Sequence, residues 1–86
     1  MKHRIVYTRR AAKDVSKLDS ETKGRIKETI GRYSEAPLNY ARRMIDTSLG
    51  TYRFRIGDYR VIFDIEGDKI IVLRVGHRRE IYRKGY

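Results

Sequence analysis

Gly50-Thr51-Tyr52-Arg53-Phe54-Arg55-Ile56-Gly57-Asp58-Tyr59-Arg60-Val61-Ile62-Phe63 is the stretch that decides how this chain folds. Two runs of alternating residues flank Gly57-Asp58, and a glycine–aspartate pair in that setting signals a two-residue hairpin turn. With Gly57 and Asp58 as the turn, Ile56 pairs with Tyr59, Arg55 with Arg60, Phe54 with Val61, Arg53 with Ile62 and Tyr52 with Phe63. Side chains alternate across a strand, so Tyr52, Phe54, Ile56, Tyr59, Val61 and Phe63 share one face. That face is the buried one. Arg53, Arg55 and Arg60 emerge together on the other.

Residues opposite each other in an antiparallel pair have Cβ atoms about 4.5–5.5 Å apart, and like charges so placed are destabilising. Setting Arg55 against Arg60, with Arg53 diagonal to Arg60, therefore contributes nothing to folding. An anion gives such a cluster a purpose, and planar guanidinium groups that bond in pairs suit phosphate best. The competing reading is a solvated sheet face whose arginine stems cover apolar surface.

Working outward, the 86 residues make one domain, 1–86, near the size at which a single core is marginal. There is no cysteine, so disulfides and thiolate metal sites play no part and a reducing compartment is compatible. The N-terminus lacks a signal-peptide run and no segment reaches the length of a membrane span, which predicts a cytoplasmic protein without a membrane partner. Twenty-one Lys and Arg stand against 11 Asp and Glu, a formal charge of +10. Excess charge of that size promotes encounter with polyanions, nucleic acid first and an acidic protein second. The excess is densest at the end of the chain, where Glu80 is the one acid among residues 69–86.

His3-Arg4-Ile5-Val6-Tyr7 reads as a first strand, and Thr8 can cap the helix after it. Ala11, Ala12, Val15 and Leu18 recur at helical spacing. Ser20 reads as the N-cap of a second helix over about 21–35, with Ile26, Ile30 and Tyr33 as its apolar stripe, ended by Ala36-Pro37. Residues 38–50 form a basic connection in which Leu38, Tyr40, Met44, Ile45 and Leu49 are candidates to close the edge of the core. After the central hairpin, Asp64-Ile65-Glu66-Gly67-Asp68-Lys69 reads as a second tight turn and Ile70-Ile71-Val72-Leu73-Arg74-Val75 reads as an internal strand. A two-residue loop there puts Arg74 on the core face; a three-residue loop with a bulge at Gly67 puts it beside Arg60. The second is expected, because a charge on the core face is expensive. The whole is an α+β fold: an N-terminal strand, an αα-hairpin and a three-stranded antiparallel meander, giving a four-stranded sheet with two helices on one face.

The hairpin stretch, together with Val75-Gly76-His77-Arg78-Arg79-Glu80-Ile81-Tyr82, resembles the corresponding blocks of the RelE/ParE toxin superfamily, especially its RelE branch. The order strand–helix–helix–three strands agrees over the whole chain. The resemblance implies a toxin of a type II toxin–antitoxin pair, held silent by a cognate acidic antitoxin. Free of it, such a toxin acts as a ribosome-dependent mRNA endonuclease that enters the ribosomal A site, among mRNA and rRNA, and inhibits translation. By position, Arg53 and Arg55 match the family's basic pair, Arg60 its phosphate-binding arginine, and Arg78 and Tyr82 its C-terminal arginine and tyrosine, one contacting the reacting phosphate and the other stacking on, or activating, the nucleotide. His77 falls where relatives often carry a basic residue or histidine. Arg74 and Arg79 are further candidates for RNA phosphate contact.

Well-known members carry lysines where this chain has Arg53 and Arg55. Arginine cannot lose its proton in a protein, so these two stabilise charge rather than act as bases. RNA supplies its own nucleophile, the 2′-OH, so the protein must accept one proton, stabilise the phosphorane charge and protonate the leaving 5′-oxygen. Tyr82 or His77 is the expected base, with Arg78 or His77 helping the leaving group. No metal-ligand set and no glycine-rich nucleotide loop occur, so no cofactor is expected. Two rivals share the residues: a ParE-like gyrase inhibitor and a non-catalytic RNA- or ribosome-binding protein.

Overall fold

The computed structural model describes residues 2–45 and 48–81. The chain runs through Arg4–Tyr7 (β1), Arg9–Ser16 (α1), Ser20–Tyr33 (α2), a 3₁₀ turn at Pro37–Asn39, Ala41–Arg43 (β2), Tyr52–Ile56 (β3), Tyr59–Glu66 (β4) and Lys69–His77 (β5). The strands form one mixed sheet in the order β1-β5-β4-β3-β2, with β1 parallel to β5 and every other pairing antiparallel. The central hairpin has the register expected from its sequence, from Tyr52 opposite Phe63 to Ile56 opposite Tyr59. Gly57 takes φ 59° at the first central position of the turn, a left-handed conformation that glycine adopts without the clash of a Cβ.

The core lies between the helices and one sheet face. Ala11 and Val15 of α1 and Ile26 and Ile30 of α2 meet Phe54, Ile56, Val61, Phe63, Ile70, Val72 and Val75. Burying a side chain such as Phe54 or Phe63 contributes about 1.5–3 kcal/mol. These two rings also stack, with centroids 4.2 Å apart. Ala12, which shares the helical spacing of its neighbours, is exposed instead. Thr8 caps α1 as expected, its Oγ1 accepting from the Ala11 amide at 3.1 Å. The cap of α2 is Asp19 rather than Ser20: Asp19 Oδ2 accepts from the Thr22 amide at 3.2 Å, and Ser20 is already helical.

This cap carries a pH signature. The hydrogen bonds from Thr22 hold the Asp19 carboxyl below its ordinary value of 3.8. A depressed folded-state value means that the stabilisation is complete above 3.8 and fades as pH falls through the lower, folded value. Thermal melts of the wild-type chain and of Asp19→Ala are therefore expected to differ at neutral pH and to converge in strong acid. A gap that persists unchanged in acid would count against this role.

Three features depart from the sequence reading. The sheet has five strands, because Ala41–Arg43 pairs with β3, Ala41 opposite Phe54 and Arg42 opposite Arg53. Only Ala41 turns inward, so this edge strand is held by backbone pairing and carries no apolar alternation to announce it. The last turn is a two-residue loop, with Glu66 paired to Lys69, and the bulge sits further along: Phe63 faces Val72 but Ile62 faces Arg74, leaving Leu73 as the extra residue. A bulge in mid-strand satisfies both halves of β5. Ile70 and Val72 enter the core before it, and Val75 does so after it. Finally, Leu38 and Tyr40 do not close the core; they are 61% and 52% exposed.

Leu73 and Ile62 pack where Gly50 approaches the sheet from its other side. A Cβ on Gly50 would lie 2.6 Å from Ile62 Cγ2 and 2.8 Å from Leu73 Cδ1. The Gly50 φ of +159° is also one that residues with a side chain rarely adopt, so space and conformation both oppose a substitution. Overfilling a packed site costs about 1–3 kcal/mol. Gly50→Ala is expected to lower Tm by on the order of 10 °C in a thermal melt. A Tm within about a degree of wild type would mean that both neighbours give way freely.

Candidate phosphate-binding cleft

Alternation along β2, β3 and β4 puts Arg42, Arg53, Arg55 and Arg60 on the sheet face away from the helices. Arg42 lies opposite Arg53, and Arg55 opposite Arg60, so two like-charge pairs cross three strands side by side. The turn after β5 adds Arg78 and Arg79. Together with Tyr40 these six arginines line one cleft of about 680 Å³ with no acid among the lining residues. The guanidinium groups that the sequence placed on one surface do converge.

Arg60 is the anchor of the cleft. It is 7% exposed, and its Nη1 donates to the carbonyls of Gly57 at 3.0 Å and Tyr59 at 2.9 Å. A guanidinium fixed by its own turn presents charge in a set direction with no reorganisation when a ligand arrives. Arg53 is half-buried beside it and Arg55 is exposed. The Arg78 amide donates to the Asp58 carbonyl at 2.7 Å, tying the end of the chain to the β3–β4 turn. The Arg78 side chain also lies 3.6 Å from the Asp58 carboxylate, but both groups are at least half exposed, so this ion pair contributes little. The backbone tether is what places Arg78 and Arg79 at the cleft.

Two expected site residues lie elsewhere. Arg74 is directed to the helix side, where its Nε donates to Asp14 Oδ2 at 2.7 Å and its Nη2 lies 3.5 Å from Oδ1. The bulge at Leu73 gives Arg74 the strand parity of the arginine face, yet the open edge of β5 lets it turn toward α1 and a carboxylate. His77 pairs with Tyr59, whose ring it meets edge-on at 5.5 Å, and that register belongs to the helix face. Its Nδ1 accepts from the Arg79 amide at 3.2 Å. His77 therefore stands apart from the arginine cleft. Tyr82 lies outside the described residues.

The structure adds two residues that the sequence reading left in a loop, Tyr40 and Arg42. Arg42 was hidden because a strand of three residues with one inward alanine has no recognisable period. Among the described residues, no three His, Asp or Glu side chains come together as a metal site. No described helix is long and apolar enough to cross a membrane.

A four-residue parallel edge strand, two helices on one face and a meander bearing an arginine cleft on the other define a small basic α+β domain. The family model for the ParE toxin of type II toxin–antitoxin systems matches residues 5–82, and the chain belongs to that family, within the RelE/ParE superfamily. It is a RelE-like toxin of a type II system. Toxin RelG of Mycobacterium tuberculosis is 30% identical over 87 residues, covering 98% of this chain and all of RelG. Toxin RelE3 of Methanocaldococcus jannaschii is 31% identical over 83 residues, 92% of this chain and 94% of its own. The crystal structure of the toxin–antitoxin complex RelBE2 from Mycobacterium tuberculosis contains a similar chain, with a TM-score of 0.82 at 27% identity, covering 91% of this chain and 100% of that one.

Proposed function

We propose that this toxin is a ribosome-dependent mRNA endonuclease, acting in the cytoplasm, which cuts mRNA in the ribosomal A site and so inhibits translation. The observation that carries the reading is the convergence of Arg42, Arg53, Arg55, Arg60, Arg78 and Arg79 on one cleft. The 2′-OH of the mRNA attacks the adjacent phosphate in line; a 2′,3′-cyclic phosphate forms, and the 5′-oxygen of the next nucleotide leaves and takes its proton from solvent. Charge builds on the equatorial oxygens, and fixed cations aimed there usually lower such a barrier more than any other single effect. Arg60 is the cation best fixed for this task, with Arg78 beside the leaving group.

No arginine can accept the proton of the 2′-OH. His77 is turned to the helix face, its Nδ1 engaged by Arg79. We assign proton acceptance to Tyr82, the other acceptor that the resemblance to RelE toxins offers. One proton acceptor and a cluster of cations around the fixed Arg60 form a spare apparatus, which suits an enzyme whose substrate is oriented by the ribosome. Orientation alone contributes about 7–11 kcal/mol to a reaction of this kind. The natural inhibitor is an acidic antitoxin that neutralises the cleft, in keeping with the toxin–antitoxin complex formed by the RelBE2 relative.

The test is mRNA cleavage on translating ribosomes, read as new 5′ ends, for the wild-type chain and for Tyr82→Phe. Cleavage by the former and its loss in the latter are expected. Intact mRNA with active wild-type toxin would overturn the nuclease reading. The ParE description of the matching family favours one rival, a gyrase-inhibiting toxin on the same fold. Induction of a DNA-damage response without mRNA cleavage would establish that rival instead.

A further inference from the structure

The cleft has one wall that is not charged. Tyr40 stacks on Tyr33 with ring centroids 4.1 Å apart and planes 7° from parallel. Tyr33 meets Phe54 edge-on at 5.1 Å, and Phe54 stacks on Phe63. An aromatic column thus runs from the buried centre of the sheet to the rim of the arginine cleft, and Tyr40 is its last ring. The turn that carries it is stiff: Pro37 opens the 3₁₀ turn, and the Tyr40 amide donates to the Pro37 carbonyl at 3.2 Å. One face of the Tyr40 ring is covered by Tyr33, the residue is still 52% exposed, and it lines the cleft beside Arg42.

Cations fix a phosphate but leave the attached base without a partner. An aromatic ring already ordered by a stack beneath it offers a π-face at little further entropy cost, and every nucleobase has a face to match. We propose that Tyr40 is the base-stacking residue of the cleft: it takes the nucleobase of a single-stranded RNA nucleotide whose phosphate is held by the arginines. The base becomes the next layer on the Tyr33–Tyr40 stack. Because stacking reads no hydrogen-bond pattern, Tyr40 adds affinity and position with little discrimination among bases. This inference rests on the RNA reading of the cleft and names a contact that the arginines cannot make.

The experiment compares an oligoribonucleotide with an abasic oligomer of the same length and phosphate count, at low salt. Tyr40→Ala is expected to bind the base-bearing oligomer on the order of tenfold more weakly. Its binding of the abasic oligomer should stay within about twofold of wild type. Tyr40→Phe should keep both affinities. The chain contains no tryptophan, so Tyr40→Trp provides a single tryptophan at the site, excited to the red of the tyrosines. Its fluorescence should be quenched by the base-bearing oligomer and not by the abasic one, and this readout does not depend on the alanine variant folding. Equal loss on both oligomers, or no quenching difference, overturns the stacking role while leaving the arginine cleft intact. Failure of the wild-type chain to bind either oligomer overturns the RNA reading itself, and the stacking role with it.

Discussion

Arg60→Ala is expected to lower mRNA cleavage on translating ribosomes by at least about 100-fold, the effect of removing one preorganised donor from a reacting centre. The reason is specific to this side chain. Arg60 is 7% exposed and clamped by the carbonyls of Gly57 and Tyr59, so its charge is already in place before a phosphate arrives. Arg60→Lys should rescue little. A lysine ammonium is a point charge on a flexible stem and cannot reproduce a planar fork braced by its own turn. Stability should change far less than activity, because the two carbonyls released lie next to a solvated turn and lose only hydrogen bonds worth about 1 kcal/mol each. A thermal melt run beside the cleavage assay separates the two effects. Wild-type cleavage by Arg60→Ala would remove this residue from the mechanism.

The second large effect concerns the fold. Asp14→Ala should destabilise the chain by about 3–5 kcal/mol, the range found when one member of a buried ion pair is deleted. The Asp14 and Arg74 side chains are only 12% and 16% exposed, and the same Asp14 oxygen that receives Arg74 Nε also accepts the Val75 amide at 3.0 Å. β1 ends at Tyr7, so among the described residues the strand β5 has no partner strand on that side beyond Val72. Thr8 and Asp14 take over there, Thr8 through its amide to the Val72 carbonyl and Asp14 through its carboxylate to the Val75 amide. Deleting the carboxylate takes the counter-charge from a guanidinium and the acceptor from an edge amide at once. In a domain of this size the loss corresponds to a fall in Tm of more than about 12 °C. Arg74→Ala alone should cost less, since Asp14 keeps its bond to Val75, and the double variant should cost less than the sum of the singles. Additive singles, or an Asp14→Ala chain as stable as wild type, would show that α1 holds β5 by apolar packing alone.

These two sites explain where reading the residues one by one succeeds. The register of the β3–β4 hairpin follows from Gly57-Asp58 and a strict period of two, both local. Once the hairpin forms, Arg53, Arg55 and Arg60 have no choice of face, because a one-residue slip would turn Phe54 and Val61 out to water. The same local logic places Thr8 as a cap and sets Val15, Ile26 and Ile30 against the sheet. It stumbles at Ser20 because Asp19 is an equally good cap one residue earlier.

What tertiary structure alone decided is which strand edges meet which neighbours. Ala41–Arg43 becomes a strand because β3 offers it an unpaired edge, and that pairing delivers Arg42 to the cleft. Arg74 leaves the arginine face because β1 stops short and exposes an edge that Asp14 can reach. His77 falls on the helix side because the last strand carries a bulge at all; its place at Leu73 rather than Gly67 is what keeps Ile70 and Val72 in the core. Local spacing fixes the face of a side chain only as long as the strand's phase is unbroken. A bulge or a free edge resets that phase through contacts distant in sequence, and no short-range pattern records them.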